Sequence, residues 1–434
     1  MSSTGPGRTG PVRLARHHST RQLAPLVPLA LVVGISPLAT DMYIPGLPEL
    51  AADLRTSPAL AQLTLTAFLV SFAVGMLLVG PLSDAVGRRR LVLLGSIGFT
   101  LASVLCALSP SISVLLVARV VQGLAGAAGA VAGRAMVTDV LSGVRRAKTI
   151  ASLSAINAVA PVVAPLLGGV LIGLGTWRLT FWLLAGAGLA LSVLVLVSFP
   201  ETLPPVRRST GVGLAASARR MGGLLANPRF SLYLVTSCVA TVGFFAYIAT
   251  SAFVFQEVYG FSTSLYTVVF ASNAVCMIIT TVLFGRLVER ISEDRLLSIG
   301  LVVAAVGSAG VLAGALLHAP AGVVWACLAV VTGAQGLVIT GSATRTQALG
   351  HATPGTAAAL QGGLAFGIGG LGTPLAGALG GTPVAMGAVM LAGLGLGALL
   401  QVVAPRWVRT PPVVAEQAAP AGVGHDGGDV QHPR

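Results

Sequence analysis

The amino-acid sequence predicts an all-α polytopic membrane protein with twelve transmembrane helices in two six-helix bundles. Hydrophobic residues make up 55% of the 434 positions and charged residues only 9%, and the mean hydropathy is +0.89. Apolar runs of about 20 residues, the length that spans a bilayer, recur along the chain. Because a soluble domain normally carries about a quarter charged residues, a water-soluble fold is excluded.

The apolar segments form two sets of six. The first set is predicted at 24–47, 61–82, 91–109, 111–134, 149–172 and 178–199. The second set is predicted at 230–254, 265–287, 295–317, 321–343, 356–379 and 382–404. This pattern divides the chain into a tail (1–22), a bundle (23–199), a central loop (200–229), a second bundle (230–405) and a second tail (406–434). Two parallel repeats of this kind hold their substrate site at the interface between them.

The basic residues predict the orientation. With twelve helices and a cytoplasmic N-terminus, 23 of the 26 Lys and Arg residues fall on the cytoplasmic side, two (Arg55 and Arg178) fall outside, and Arg119 lies within a helix. By the positive-inside rule, both termini are therefore expected in the cytoplasm of a bacterial-type inner (plasma) membrane. The net charge of +13 is spread over short clusters, so a nucleic-acid partner is not expected.

The loop between the second and third predicted helices carries the most specific motif. It places Gly80, Asp84, Gly87, Arg88 and Arg89 in the string GPLSDAVGRRR. This string resembles the G-x-L-S-D-x-x-G-R-R loop of the major facilitator superfamily, with every principal position matched. The resemblance implies the major facilitator fold and a conformational latch between its halves. A cluster of arginines that only sets topology would explain the arginines, but not the glycines or Asp84.

A second motif lies in the fifth predicted helix. Pro161, Pro165, Gly168 and Gly169 stand in a string similar to the antiporter motif G-x-x-x-G-P-x-x-G-G of the same superfamily, with alanine at the first two glycine positions. The resemblance implies export rather than import. The alternative is a proline kink that serves packing alone.

Three further stretches, 40–48, 119–123 and 200–204, resemble the Bcr/CflA subfamily of drug:proton antiporters. That resemblance implies proton-coupled export of small lipophilic drug-like molecules, including chloramphenicol or bicyclomycin types. A monomer without a cofactor, with the proton as coupling ion, is expected. The stretch 339–342 departs from a Pro-Asn pair frequent in the subfamily, and substrate preference depends partly on that half of the chain.

Ionisable residues inside a membrane span are costly and usually functional. Asp41 and Arg119 are predicted at similar depths in the first and fourth helices, at about 9 and 12 Å from their outer ends. We expect Asp41 to bind the proton in competition with the drug, and Arg119 to orient Asp41 and the substrate. Tyr43 and Gln122 are assigned to the same cavity. The alternatives are a static ion pair between the two helices and a packing role for Gln122.

Two further groups are candidates for the transport path. Gln256 and Glu257 are predicted at the outer end of the seventh helix, as a gate or a second titrating site; a solvated interfacial Glu is the alternative. An aromatic wall for a lipophilic substrate is predicted from Phe68, Phe72, Tyr247 and Phe253, and the alternative for each is packing.

The sequence also bears on functions other than export. The four cysteines and six histidines lack metal-ligand spacing, and no nucleophile stands beside a matching base, so neither a metal site nor a catalytic residue is predicted. A symporter or importer of a metabolite or sugar on the same fold remains the main alternative. A membrane enzyme or receptor is the more distant one.

Overall fold

The computed structural model describes residues 26–198, 200–203 and 213–403, and this part of the chain contains helices and no β-strand. The predicted tails 1–22 and 406–434 lie outside the described residues. The α-helices are α1 (Leu26–Asp41), α2 (Leu47–Asp53), α3 (Pro58–Val86), α4 (Arg88–Ala107), α5 (Ile112–Val140), α6 (Gly143–Leu174), α7 (Arg178–Ser198), α8 (Leu214–Leu225), α9 (Pro228–Phe253), α10 (Thr263–Leu287), α11 (Glu293–Leu316), α12 (Ala321–Leu349), α13 (Pro354–Gly369), α14 (Gly372–Ala378) and α15 (Pro383–Val403).

Nine helices in the described part are long and apolar enough to span a membrane. They are α3, α4, α5, α7, α9 with its π-helical extension Val254–Val258, α10, α11, α12 and α15. The three other predicted segments overlap α1, α6 and the pair α13 and α14. The all-helical membrane fold is confirmed, and the count of twelve spans is consistent with it.

Several helix ends differ from the prediction. Helix α1 ends at Asp41 rather than near 47, because the chain then turns through a short 3-10 helix, Ile44–Gly46, into α2. Helices α3, α5 and α12 continue beyond their apolar runs, because hydropathy marks contact with lipid and not the end of a hydrogen-bonded helix. The segment 200–229, predicted as a loop, contains the whole of α8 and the start of α9.

The helices pack as two groups. Helices α1 and α3 to α7 pack mainly on one another, as do α9 to α15, and the groups meet where α6 contacts α10 and where α3 contacts α13 and α14. Short connections make consecutive spanning helices antiparallel. We call the side where α3, α5 and α12 end the basic side, and the side that carries α2 the opposite side. The domain boundaries predicted from the sequence stay predictions.

The eleventh predicted segment is interrupted between α13 and α14, where it crosses α9. A Cβ atom added to Gly372 would lie 2.0 Å from the backbone oxygen of Val242, so only glycine allows the two backbones to approach this closely. The hydroxyl of Thr66 in α3 donates to the oxygen of Gly370 at 2.8 Å. The break therefore lies at a contact between the two groups of helices.

Candidate functional site

A central cavity of about 430 Å³ lies between the two groups of helices. Seven aromatic side chains from both groups line it: Phe68, Phe72, Phe244, Phe245, Tyr247, Phe270 and Phe366. Phe72 of the first group contacts Phe366 of the second, with 6.0 Å between the ring centroids. Tyr247 and Phe270, both of the second group, stack with 5.8 Å between their centroids. Such a volume and lining suit a drug-sized apolar molecule.

The wall contains three of the four aromatic residues predicted from the sequence, Phe68, Phe72 and Tyr247. Phe253 is buried away from the cavity. Phe244, Phe245, Phe270 and Phe366 were missed, because a phenylalanine that faces a cavity and one that faces lipid look alike in an apolar run.

Asp41 lines the cavity at the end of α1, and only 8% of its surface is exposed. It is the one carboxylate among the described residues that line this cavity. In the described part of the chain, Asp41 forms no ion pair within 4.0 Å. Its charge is therefore placed in an apolar cavity without a cationic partner.

Arg119 is fully buried and contacts groups other than Asp41. Its Nη1 donates to the backbone oxygen of Ala39 at 3.0 Å and to Oε1 of Gln122 at 2.6 Å, and its Nε donates to the backbone oxygen of Thr64 at 3.2 Å. The static ion pair between Asp41 and Arg119, which the sequence offered as the alternative, is therefore not formed among the described residues, and the proton-binding and orienting roles of the two residues stay predictions. Because α1 ends at Asp41, its last carbonyl groups lack helix partners, and the guanidinium binds one carbonyl of this last turn instead of the carboxylate.

Tyr43 and Gln122 belong to this buried cluster and do not line the cavity, contrary to their assignment from the sequence. The hydroxyl of Tyr43 shares a hydrogen bond with that of Thr64 at 3.1 Å, and Nε2 of Gln122 donates to Ser103 at 2.8 Å. The depth of a residue along a helix can be read from the sequence, but the direction in which its side chain points depends on how the helices rotate against each other.

Phe68 connects the buried cluster with the cavity. The guanidinium carbon of Arg119 lies 4.5 Å from the centroid of the Phe68 ring, and Phe68 also lines the cavity. A second ring, that of Tyr43, lies 4.6 Å from the same carbon. Arg119 therefore stabilises the aromatic wall and the end of α1 from behind, through cation–π contacts and hydrogen bonds.

Several polar residues of the cavity were not predicted from the sequence, among them the basic Arg134 in α5 and the amide Asn157 in α6. The predicted fourth segment ends at 134, which assigns Arg134 to the cytoplasmic arginines. The structure continues α5 to Val140. Arg134 therefore lies within the helix, with its side chain exposed to the cavity.

On the opposite side, hydrogen bonds join the two groups of helices. Gln62 of α3 donates to the hydroxyl of Thr250 in α9 at 3.4 Å. Nε2 of Gln256, one of the two predicted gate residues, donates to the backbone oxygen of Pro45 at 2.9 Å. Glu257 is exposed and does not line the cavity. A gating role for this pair stays a prediction.

The loop motif forms contacts within the first group of helices. Gly87 has a φ of 105°, which favours glycine at the junction of α3 and α4. Arg88 pairs with Asp84 at 2.7 Å and with Asp139 at 3.2 Å, and Arg89 donates to the backbone oxygen of Leu196 at 2.8 Å. A Cβ atom at Gly80 would meet nothing within 4 Å. The latch function of the motif stays a prediction.

The antiporter-like motif lies in α6, which is helical through Pro161 and Pro165. Pro161 lines the cavity. A Cβ atom on Gly168 would lie 1.7 Å from the backbone oxygen of Met42, and one on Gly169 would lie 2.4 Å from the hydroxyl of Thr267 in α10. The two glycines therefore allow α6 to approach the chain just after α1 on one side and α10 on the other.

Residues 29–374 match the Major Facilitator Superfamily. The chain belongs to this superfamily. It is 37% identical over 373 residues to the uncharacterized MFS-type transporter YdgK of Bacillus subtilis, covering 86% of this chain and 92% of that relative. Membership makes the chain a multi-pass membrane transporter of small molecules and not an enzyme.

Two other relatives are similar over part of their length. A bicyclomycin resistance protein homolog of Haemophilus influenzae is 30% identical over 278 residues, which cover 64% of this chain and 70% of the relative. The multidrug resistance protein MdtL of Escherichia coli is 31% identical over 245 residues, which cover 56% and 61%.

Solved structures share the fold of this major facilitator protein. A bacterial homolog of the human lysosomal transporter Spinster, in an inward-facing conformation, superposes with a TM-score of 0.67 at 21% identity and covers 88% of this chain and 95% of its own. A D-xylose-proton symporter superposes with a TM-score of 0.67 at 14% identity, covering 87% and 96%. At these identities the similarity concerns the fold alone.

Proposed function

We propose that this major facilitator protein is a proton-coupled exporter of small aromatic, drug-like molecules that works by alternating access. The observation that carries the proposal is the placement of Asp41, an acid without a cationic partner, in an aromatic cavity between the two groups of helices. A membrane transporter that couples to protons needs an ionisable group that both sides can reach in turn.

The chemistry of Asp41 supports exchange of a proton for cargo. A carboxylate in an apolar cavity is stabilised when a proton, a cation or a hydrogen-bond donor neutralises its charge. The proton and a donor group on the cargo would compete for the same oxygen atoms. Binding of one would therefore release the other, and this competition is what antiport requires.

The contacts of Arg119 favour an indirect role in transport. It acts as a positioning residue that holds the backbone of Ala39, two residues before Asp41, and supports the ring of Phe68. Its charge serves these contacts, so Arg119 orients Asp41 through the backbone of α1 rather than through the carboxylate.

The state of the interface supports alternating access. Hydrogen bonds join the halves on the opposite side, whereas the contacts of Arg88 and Asp84 stay within the first half. In the other state of the cycle, the loop motif would engage the second half while the opposite side opens. The basic side would be the cytoplasmic one, with both termini on it and with a monomer as the working unit.

Drug export and membership of the Bcr/CflA subfamily gain support from the relatives whose names mention bicyclomycin and multidrug resistance. A sugar symporter is the competing function on this fold. Sugars are held by many hydrogen bonds, whereas seven aromatic rings dominate this cavity. The lining therefore favours lipophilic aromatic cargo.

The test is proton-driven transport in inverted membrane vesicles with chloramphenicol, ethidium and ciprofloxacin as cargo. The Asp41→Asn variant is expected to lose uphill transport of every compound that the wild type moves, while Glu289→Gln, a matched change at an exposed acid away from the cavity, keeps it. Full coupling in Asp41→Asn rejects the proton role. Proton-driven movement in the import direction rejects export.

A further inference from the structure

We propose that the central cavity selects aromatic molecules with an acidic group at one end and an amine or other donor at the other, and that Arg134 is the residue that holds the acidic group. This inference rests on the proposed function in one respect, that the cargo occupies this cavity.

Arg134 is the only basic side chain among the described residues that line the cavity. It lies six residues before the end of α5 at Val140, or about 9 Å inside the helix end. Its side chain is exposed to the cavity, and it forms no ion pair or hydrogen bond in the part of the chain that the structure describes. Its donors therefore remain available to a molecule inside.

The acids nearest to Arg134 in the chain are occupied elsewhere. Asp139, on the same helix, accepts from Arg88 and from the hydroxyl of Thr202, both at 3.2 Å. Asp84 pairs with Arg88. Asp41 lines the same cavity but forms no ion pair with Arg134. An uncompensated guanidinium inside a membrane protein is costly unless it reaches water or binds an anion.

Asp41 and Arg134 lie at different depths in the cavity. Arg119 binds the backbone two residues before Asp41, and Arg134 lies fifteen residues further along the same helix, or about 22 Å. The side chains of Asp41 and Arg134 each extend part of the way along the cavity, and the distance that remains between their charged groups suits an elongated drug-sized molecule. Aromatic rings line the cavity along with these two groups, so apolar, acidic and donor groups of one molecule each have a partner.

Arginine is suited to an acidic group. Its planar guanidinium can donate two parallel hydrogen bonds to a carboxylate, and such charge-assisted bonds are about twice as strong as neutral ones. Asn157, which lines the cavity on α6, offers a further amide donor. A molecule with only a positive charge would be repelled by Arg134. The cavity therefore favours aromatic zwitterions over simple lipophilic cations.

The competing explanation is that Arg134 reaches the membrane surface and only supports folding, because a long basic side chain near a helix end can extend to the interface. A matched pair of probes separates the two explanations. Ciprofloxacin carries a carboxylate and an amine, and its methyl ester keeps the ring and the amine but lacks the negative charge.

The experiment measures equilibrium binding of both probes to purified full-length protein in detergent, without a proton gradient. The wild type is expected to bind the acid at least about tenfold more tightly than the ester, the gain of a charge-assisted pair. Arg134→Gln is expected to reduce this preference to within about twofold, mainly by weakening the acid, while Arg134→Lys keeps part of it. Arg146→Gln, which removes an exposed charge at the start of α6, serves as the control and should keep the preference.

Three results overturn the inference: a wild type that binds neither probe or shows no preference for the acid, an Arg134→Gln variant that retains the preference, or one that loses affinity for acid and ester alike. Because binding is measured without a gradient, the outcome is independent of the Asp41→Asn transport test. If Asp41→Asn abolishes proton-driven transport but the wild type shows no preference for the acid, only this inference is rejected. If the wild type prefers the acid but shows no proton-coupled transport, only the proposed function is rejected.

Discussion

Replacing Arg119 by methionine is expected to destabilise the fold strongly rather than to disturb proton coupling alone. The change removes three hydrogen bonds, to the backbone oxygens of Ala39 and Thr64 and to Gln122. Each buried acceptor left without a partner costs about 1–3 kcal/mol. The methionine retains much of the apolar packing, and loss of a buried charge recovers part of its desolvation. The oxygen of Thr64 lies inside α3 and keeps its helix partner, so the oxygens of Ala39 and Gln122 lose most, and we expect a net loss of about 2 kcal/mol.

The free energy of unfolding can be measured in detergent micelles by denaturant titration, followed by circular dichroism. Arg134→Met is the matched control, because it removes an arginine from the same helix that has no polar partner in the described part of the chain, and a change within about 0.5 kcal/mol is expected. A loss below about 1 kcal/mol for Arg119→Met, or an equal loss for Arg134→Met, would refute the reasoning. If Arg119→Met is stable but has lost proton coupling, a direct contact between Arg119 and Asp41 during transport would be the better explanation.

Two further predictions concern contacts that the structure specifies. Gly168→Ala places a Cβ atom 1.7 Å from the backbone oxygen of Met42 and should lower the yield of folded protein in size-exclusion chromatography. Gly173→Ala is the control, because a Cβ atom there meets nothing within 4 Å, and it should leave the yield unchanged. Equal yields for the two variants would contradict the close approach of α6 to Met42. On the opposite side, the hydrogen bond from Arg178 lowers the pKa of Asp53 below its ordinary 3.8. This stabilisation is present above about pH 4 and fades as the pH falls below it, so the thermal stability gained over Asp53→Asn should shrink on acidification; a gap that is constant with pH would refute the pairing.

The structure also bears on how the two ends of the cycle differ. On the opposite side, the halves pack on one another and are also joined by hydrogen bonds of single polar side chains, such as Gln62 with Thr250 and Gln256 with Pro45. Bonds of this kind contribute about 0.5–1.5 kcal/mol each. A small number of them can be exchanged for contacts of the loop motif during transport, because the two states then differ by only a few kcal/mol.

The sequence alone determined the class of protein and much of its organisation. Apolar runs of membrane-spanning length, interrupted by basic loops, cannot form a soluble core, so the all-helical membrane fold follows from composition and spacing. The same reasoning singled out Asp41, because an acid within a span is too costly to be incidental. The glycines of the loop motif and of α6 were also evident, since their strings match a known superfamily.

Only the tertiary structure decided which side chains face one another. The pairing of Asp41 with Arg119 depended on α1 continuing to Leu47, and its end at Asp41 turned Arg119 toward backbone oxygens. Arg134 entered the cavity because α5 runs beyond its apolar segment to Val140. Depth along a helix follows from counting residues, but helix rotation and helix ends depend on packing against distant segments, and no local pattern records them.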